Sequence, residues 1–274
     1  MQCPLQSIQM LVLAGAPPLV HWQSLWLVIA AFLAGVLNAV AGGGSFLLFP
    51  AMLGTGMLPV HANATNTVAL WPGQLTSVAA YRNEMRRHMR LVWPMGAAGL
   101  VGGTAGALVL LNTPQRTFMA LVPWLLLVAA TIFAVSRPVS RWLERRRKSI
   151  VGAGIGKHRG PMLALTVGVC FYIGYFGAGA GFLLITLMSL FGFEDLNEIN
   201  ALKVVATALA NGVAFAIFVV SGLVEWRYCL VAMAACAVGG YVSARAARMV
   251  PQEVLRTSVI AIGFGMAAWF FFRG

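Results

Sequence analysis

Gly42-Gly43-Gly44-Ser45-Phe46-Leu47-Leu48-Phe49-Pro50 is a glycine cluster that runs directly into an apolar stretch. Gly177-Ala178-Gly179-Ala180-Gly181-Phe182-Leu183-Leu184 repeats the arrangement further along the chain. The apolar runs that follow, 46–57 and 182–192, would reach only about 17–18 Å as helix, too short to cross a bilayer. The longer apolar runs lie at about 25–41, 62–81, 91–111, 117–136, 161–176, 200–221, 227–244 and 257–272. The fold follows from this pattern: helices with two interrupted elements at matching places.

The match extends beyond the glycines. A shift of 136 pairs Gly43-x-x-Phe46-Leu47-Leu48 with Gly179-x-x-Phe182-Leu183-Leu184, and Met52 with Met188. A shift of 137 pairs Asn63-Ala64 with Asn200-Ala201, Val68-Ala69 with Val205-Ala206, and Gly102-Gly103 with Gly239-Gly240. Each half therefore has five segments, and an odd number turns the second half upside down relative to the first. The expected fold is an all-α integral membrane protein, a polytopic bundle of two inverted five-segment repeats. It has about eight full spans and two short broken or re-entrant segments. The organisation reads as an N-terminal segment 1–24, a first repeat 25–136, a basic cytoplasmic linker 137–160 and a second repeat 161–274.

Composition agrees. Of 274 residues, 60% are hydrophobic and only 9% charged, with mean hydropathy +0.84. That is too little charge to cover a surface in water, so lipid is the expected solvent. The bases behind the net charge of +12 cluster, Lys203 apart, in a few loops between apolar runs, which reads as a topology signal rather than a nucleic-acid interface. With the N-terminus outside, the inverted arrangement puts 16 of the 19 Lys and Arg inside. The parallel four-plus-four alternative puts 14 inside, so the positive-inside rule prefers inversion. Arg145-Arg146-Arg147-Lys148 anchors that topology, with attraction to anionic lipid a secondary reading. The multi-pass chain is expected in the inner or plasma membrane. Residues 8–16, ending Ala14-Gly15-Ala16, resemble a signal cleavage site but lack a preceding base. Cys3, Cys170, Cys229 and Cys236 form no CxxC pair, and the four histidines show no zinc spacing, so neither metal nor cofactor is expected.

The chemistry is expected at the two breaks. A chain break at membrane depth leaves backbone groups unpaired, and survives only against protein or a water-filled cavity. The helix restarting after each break presents free N–H groups and a positive dipole end, which favour an anion. Ser45 is placed to cap the first. Gly43, Gly44, Gly179 and Gly181 let the backbone approach a ligand, although glycines also serve close helix packing. The next segment of each half is polar. Asn63, Asn66 and Thr67 share one helical face, as do Asn200, Lys203, Thr207 and Asn211. In repeat register Asn63 corresponds to Asn200, Asn66 to Lys203, and Gln74 to Asn211. Interhelical hydrogen bonding is the plainer role for these amides. Lys203 is a charge inside such a segment, and its plainer role is snorkelling to the cytoplasmic edge near Glu198.

All seven carboxylates fall in loops or at segment ends, which disfavours a cation substrate. No histidine lies mid-span to serve Ser45 as a base, so an intramembrane enzyme is not expected. A purely structural or assembly protein would not need two matched breaks. The expected function is transport of a small solute.

Gly35-Val36-Leu37-Asn38, leading into Ala41 through Pro50, resembles the first glycine motif of the TauE/SafE sulfite exporter family. His61-Ala62-Asn63-Ala64-Thr65-Asn66, Gly174 through Leu184, Asn200-Ala201-Leu202-Lys203 and Ser221-Gly222-Leu223-Val224-Glu225-Trp226 resemble it too. The resemblance covers about residues 25–272. It implies export of sulfite, organosulfonates or related small sulfur anions, with a non-sulfur organic anion as runner-up, and adds Asn38 to the substrate residues. Helix N-termini, amide and hydroxyl donors and one Lys suit such an oxyanion. The expected partners are that anion and the bilayer. Oligomeric state and the driving ion are left open.

Overall fold

A computed structural model describes residues 21–41, 43–147, 159–193, 195–246 and 252–273. Residues 1–20, with the signal-like stretch, Gly42, and 148–158 of the expected linker lie outside the described residues. Among those described, all regular structure is helical. The order is α1 (His21–Ala41), α2 (Ser45–Gly54), α3 (Pro59–Ala80), α4 (Arg82–Arg87), α5 (Met89–Leu111) and α6 (Gln115–Arg147). It continues with α7 (Arg159–Tyr175), α8 (Ala180–Leu190), α9 (Leu196–Val220), α10 (Trp226–Ala246) and α11 (Gln252–Arg273).

Local chemistry sets the ends. Pro59 occupies the first turn of α3, where its missing N–H costs nothing. The Asp195 carboxylate accepts from the Asn197 N–H at 2.8 Å and starts α9. The two short helices have 10 and 11 residues, as the spacing predicts. Each is followed by a glycine of positive φ, Gly56 (89°) and Gly192 (93°), which correspond under the shift of 136. The apolar run 117–136 is continuous with the start of the basic segment, because α6 continues through Arg147 over 33 residues. At about 50 Å that helix exceeds a bilayer's hydrocarbon thickness.

Met89–Leu111, Gln115–Ile132 and Asn197–Val220 are long and apolar enough to cross a membrane. Leu25–Asn38, Gly160–Tyr175, Trp226–Val242 and Ile260–Phe272 are shorter apolar helices, as are α2 and α8. The outward surface is itself apolar: Trp93 is 73% exposed, Val220 88% and Phe272 92%. Patches of that kind are unfavourable in water and ordinary against lipid.

The halves interleave. α5 of the first half packs along α7 of the second, and α10 of the second packs along α1 of the first. The contacts are made by glycine. A Cβ on Gly106 or Gly174 would overlap the backbone of the facing α7 or α5, at Phe171 or Gly103. Likewise Gly35 and Gly239 lie against the backbones of Cys236 and Phe32. Such approach maximises dispersion contact where lipid offers no hydrophobic drive between helices. The core runs through both halves. Phe49 of α2 meets Phe118 of α6, Phe176 after α7 and Phe270 of α11 at ring separations of 5.4–6.4 Å.

Candidate functional site

The first break lies between Ala41 and Ser45 and the second between Tyr175 and Ala180. At the second, Gly177 and Gly179 have φ of +76° and +71°, a region that L side chains rarely occupy. Gly44 is helical (φ −57°), and its requirement is space. A Cβ there would come within 2.6 Å of the Ala34 carbonyl oxygen and 3.0 Å of Asn38 Cβ. Gly43 is buried beside it.

α3 reaches both breaks with one face. Asn63 Nδ2 donates to the carbonyl oxygen of Tyr175 at 3.0 Å, satisfying a carbonyl at the end of α7. One turn on, Asn66 Nδ2 donates to Ser45 Oγ at 3.1 Å. Both asparagines are 1% exposed. Their Oδ1 atoms are buried and have no donor among the described residues. Ser45 is not the expected cap. Gly44 holds the N-cap position of α2 without a side-chain bond, and the Ser45 hydroxyl is engaged by Asn66 instead. The N–H groups of Phe46 and Leu47, which a side-chain cap would take, donate instead to the carbonyl oxygens of Gly43 and Gly44 at 3.1 Å.

α9 serves the second break. Lys203 is half-buried, and its Nζ donates to Asn200 Oδ1 at 2.8 Å. Its stem lies near Gly181, where a Cβ would sit 3.9 Å from Lys203 Cδ. Asn211 Oδ1 would stand 4.0 Å from a Cβ on Gly177. Asn211 Nδ2 donates to Gln74 Oε1 at 3.2 Å and to the Thr207 carbonyl at 3.1 Å. The repeat-related pair Gln74 and Asn211 thus meet directly, where α3 and α9 cross. Asn38 lies next to Gly73, whose Cβ would be 4.0 Å from Asn38 Nδ2.

The site residues therefore fall into two neighbourhoods, Asn38, Gly43, Gly44, Ser45 and Asn66 at the first, and Asn63, Gly179, Gly181, Asn200, Lys203 and Asn211 at the second. Gln74 bridges α3 to the second. A groove of about 480 Å³ lies apart from them, between α3, α5 and α9. Trp71, Leu75, Leu100 and Leu209 line it, and none of the polar site residues does. It is a lipid-compatible surface rather than an anion site. Sequence reasoning missed the Trp71 Nε1 bond to the Ala208 carbonyl (3.1 Å) and the acceptance by Thr65 Oγ1 of the Glu225 N–H (3.1 Å). It also passed over His61 and His88, which contact Glu225 and Glu198.

A family profile described as "Sulfite exporter TauE/SafE" matches residues 27–270. The chain is similar to a "Probable membrane transporter protein" of Haemophilus influenzae, 26% identical over 249 residues, covering 88% of this chain and 94% of that protein. It is similar at 26% identity to "Probable membrane transporter protein ORF9" of a Sinorhizobium species, covering 88% and 90%. "Probable membrane transporter protein YfcA" of Escherichia coli K12 is 26% identical, covering 88% and 87%. No solved structure matches the chain.

Proposed function

Because the chain belongs to the sulfite exporter TauE/SafE family, we propose that it is a multi-pass inner-membrane transporter of small anions, with sulfite, an organosulfonate or a related sulfur oxyanion as cargo. The observation that carries the reading is the single face of α3, whose Asn63 and Asn66 engage both chain breaks. A helix serving only to fill the bundle has no need of buried amides at two interrupted helices. The restarting ends of α2 and α8 present positive dipole ends, and Lys203 adds a charge beside the start of α8. The unpartnered Oδ1 atoms of Asn63 and Asn66 accept hydrogen bonds. An oxyanion that keeps one O–H, or an ordered water, supplies the donors they lack.

The halves are inverted relative to each other in this proposal. The exchange of partners, α5 with α7 and α10 with α1, supports a two-fold relation between them. So does the correspondence of Gly56 with Gly192. Single cysteines at positions 86, 146 and 248 are expected to react with an impermeant maleimide from the same, cytoplasmic face. Labelling of position 248 from the opposite face would favour the parallel four-plus-four arrangement.

Counterflow in proteoliposomes loaded with sulfite, sulfoacetate, thiosulfate or acetate tests the cargo. Exchange of at least one sulfur oxyanion in preference to acetate is expected. Preference for acetate would move the assignment to organic acids. Exchange of none would leave a structural or assembly protein as the better account.

A further inference from the structure

Two histidine–glutamate contacts tie the halves together outside the polar site. His61 Nδ1, in the first turn of α3, lies 3.5 Å from Glu225 Oε1, just before α10. His88 Nδ1, between α4 and α5, lies 3.0 Å from Glu198 Oε1 in the first turn of α9. Under the shift of 137, His61 corresponds to Glu198 and His88 to Glu225. The same two places therefore carry the contact in both halves, with imidazole and carboxylate traded. The flanking bases correspond too, Arg90 with Arg227. Incidental surface pairs contribute little and have no reason to recur with their members exchanged. What the two ends share is the complementarity itself.

Their placement gives the complementarity a use. Each contact joins the first turn of a polar-faced helix to the segment preceding a helix of the other half. His61 lies two residues before Asn63, and Glu198 two residues before Asn200. In the inverted arrangement the two contacts lie at opposite membrane faces. They differ in length, 3.5 Å at His61–Glu225 against 3.0 Å at His88–Glu198, in the exposure of the carboxylate, 48% against 19%, and in a second tie across the halves. Glu225 is held a second time, by its N–H to Thr65 Oγ1 at 3.1 Å. Leu202, at the place matching Thr65, has no side-chain acceptor.

We propose that the two contacts are end latches of the transport path, and that His88–Glu198, which lacks the second tie, is the one that releases. The proposal rests on the transporter reading above. A path that opens at one end at a time needs closures that are specific yet weak. A partly exposed pair with side chains 32% and 19% accessible meets both conditions. A fully buried pair would resist breaking because each member would be left unpaired.

The opposite end of the molecule supplies the test. The double variant His88→Glu/Glu198→His reproduces at this end the arrangement already found in Glu225 and His61. The reporter is Thr207→Cys, one turn deeper than Lys203, with Cys3 replaced by serine. Cys170, Cys229 and Cys236 are buried and stay as background. In proteoliposomes, maleimide labelling of the reporter from the face bearing residue 88 is expected to rise about fivefold in Glu198→Gln and further in His88→Glu. In the exchanged double variant it returns to within about twofold of the parent. Glu198→Gln removes the pairing without placing like charges together, so it guards against a His88→Glu chain that fails to fold. Equal labelling in all variants would overturn the proposal, and so would a raised rate that the exchange leaves unrepaired. Sulfite counterflow in reporter-free vesicles is scored separately. Its absence alongside latch-dependent labelling would count against the cargo and leave the latch standing.

Discussion

Lys203→Gln is expected to weaken anion binding while leaving the folded protein intact. In the structure Lys203 Nζ donates one bond, to Asn200 Oδ1 at 2.8 Å, and its stem passes near Gly181 at the second break. Two ammonium N–H groups remain for a ligand. Losing a desolvated charge contact of this kind should cost on the order of 2–5 kcal/mol, about 30-fold or more in affinity. Lys203→Arg should not fully restore binding, because a planar fork fills the space differently from a compact ammonium. The measurement is anion affinity on purified protein, by counterflow competition or calorimetry. If Lys203 only snorkels, both substitutions leave affinity within a few-fold and change expression or topology instead. That outcome would remove Lys203 from the site and leave the amides and the helix ends as the donors.

Gly239→Ala is expected to damage the fold, and its neighbour Gly240→Ala to be tolerated. A Cβ at Gly239 would overlap the Phe32 carbonyl oxygen of α1, a backbone atom that cannot rotate away. A Cβ at Gly240 would lie 3.8 Å from the Gly35 carbonyl oxygen, an ordinary contact. Over-packing at a rigid contact costs about 1–3 kcal/mol, occasionally more. Here it also separates α10 from α1 along their glycine seam. A fall in detergent melting temperature on the order of 5 °C for Gly239→Ala is expected. Gly168→Ala, with nothing within 4 Å of its Cβ, serves as a second control. Equal melting temperatures for the two adjacent variants would mean that α1 and α10 are not held this closely.

The same pair of glycines marks the boundary of what could be read from the chain. Gly239-Gly240 and Gly102-Gly103 match in sequence, and nothing in either dipeptide distinguishes its members. In the structure a Cβ on Gly103 would come within 2.6 Å of Ala210 Cα, whereas its counterpart Gly240 has room. The cause is long-range: α5 is clasped by both α7 and α9, and α10 lies chiefly along α1.

Local features were legible because their causes are local. Helical periodicity, glycine clusters and run length depend on residues a few positions apart, so the short helices, the breaks and the shared face of Asn63 and Asn66 could be read directly. The amides were legible as a stripe but not as individuals. That Asn63 serves the second break while Asn66 serves the first depends on how α3 packs against α2, α9 and α10. Ser45 shows the limit most plainly. Its position after Gly44 made it a reasonable cap, and only the approach of α3 turned its hydroxyl to Asn66. The histidines looked scattered because their partners, Glu225 and Glu198, lie more than a hundred residues away. Sequence by itself determined the helical class, the membrane as solvent and the two interrupted segments, since these follow from composition and short-range spacing. Tertiary structure alone decided which glycine is a contact, which oxygen each amide meets and which helices of opposite halves pair, since these depend on interaxial distances that no single segment encodes.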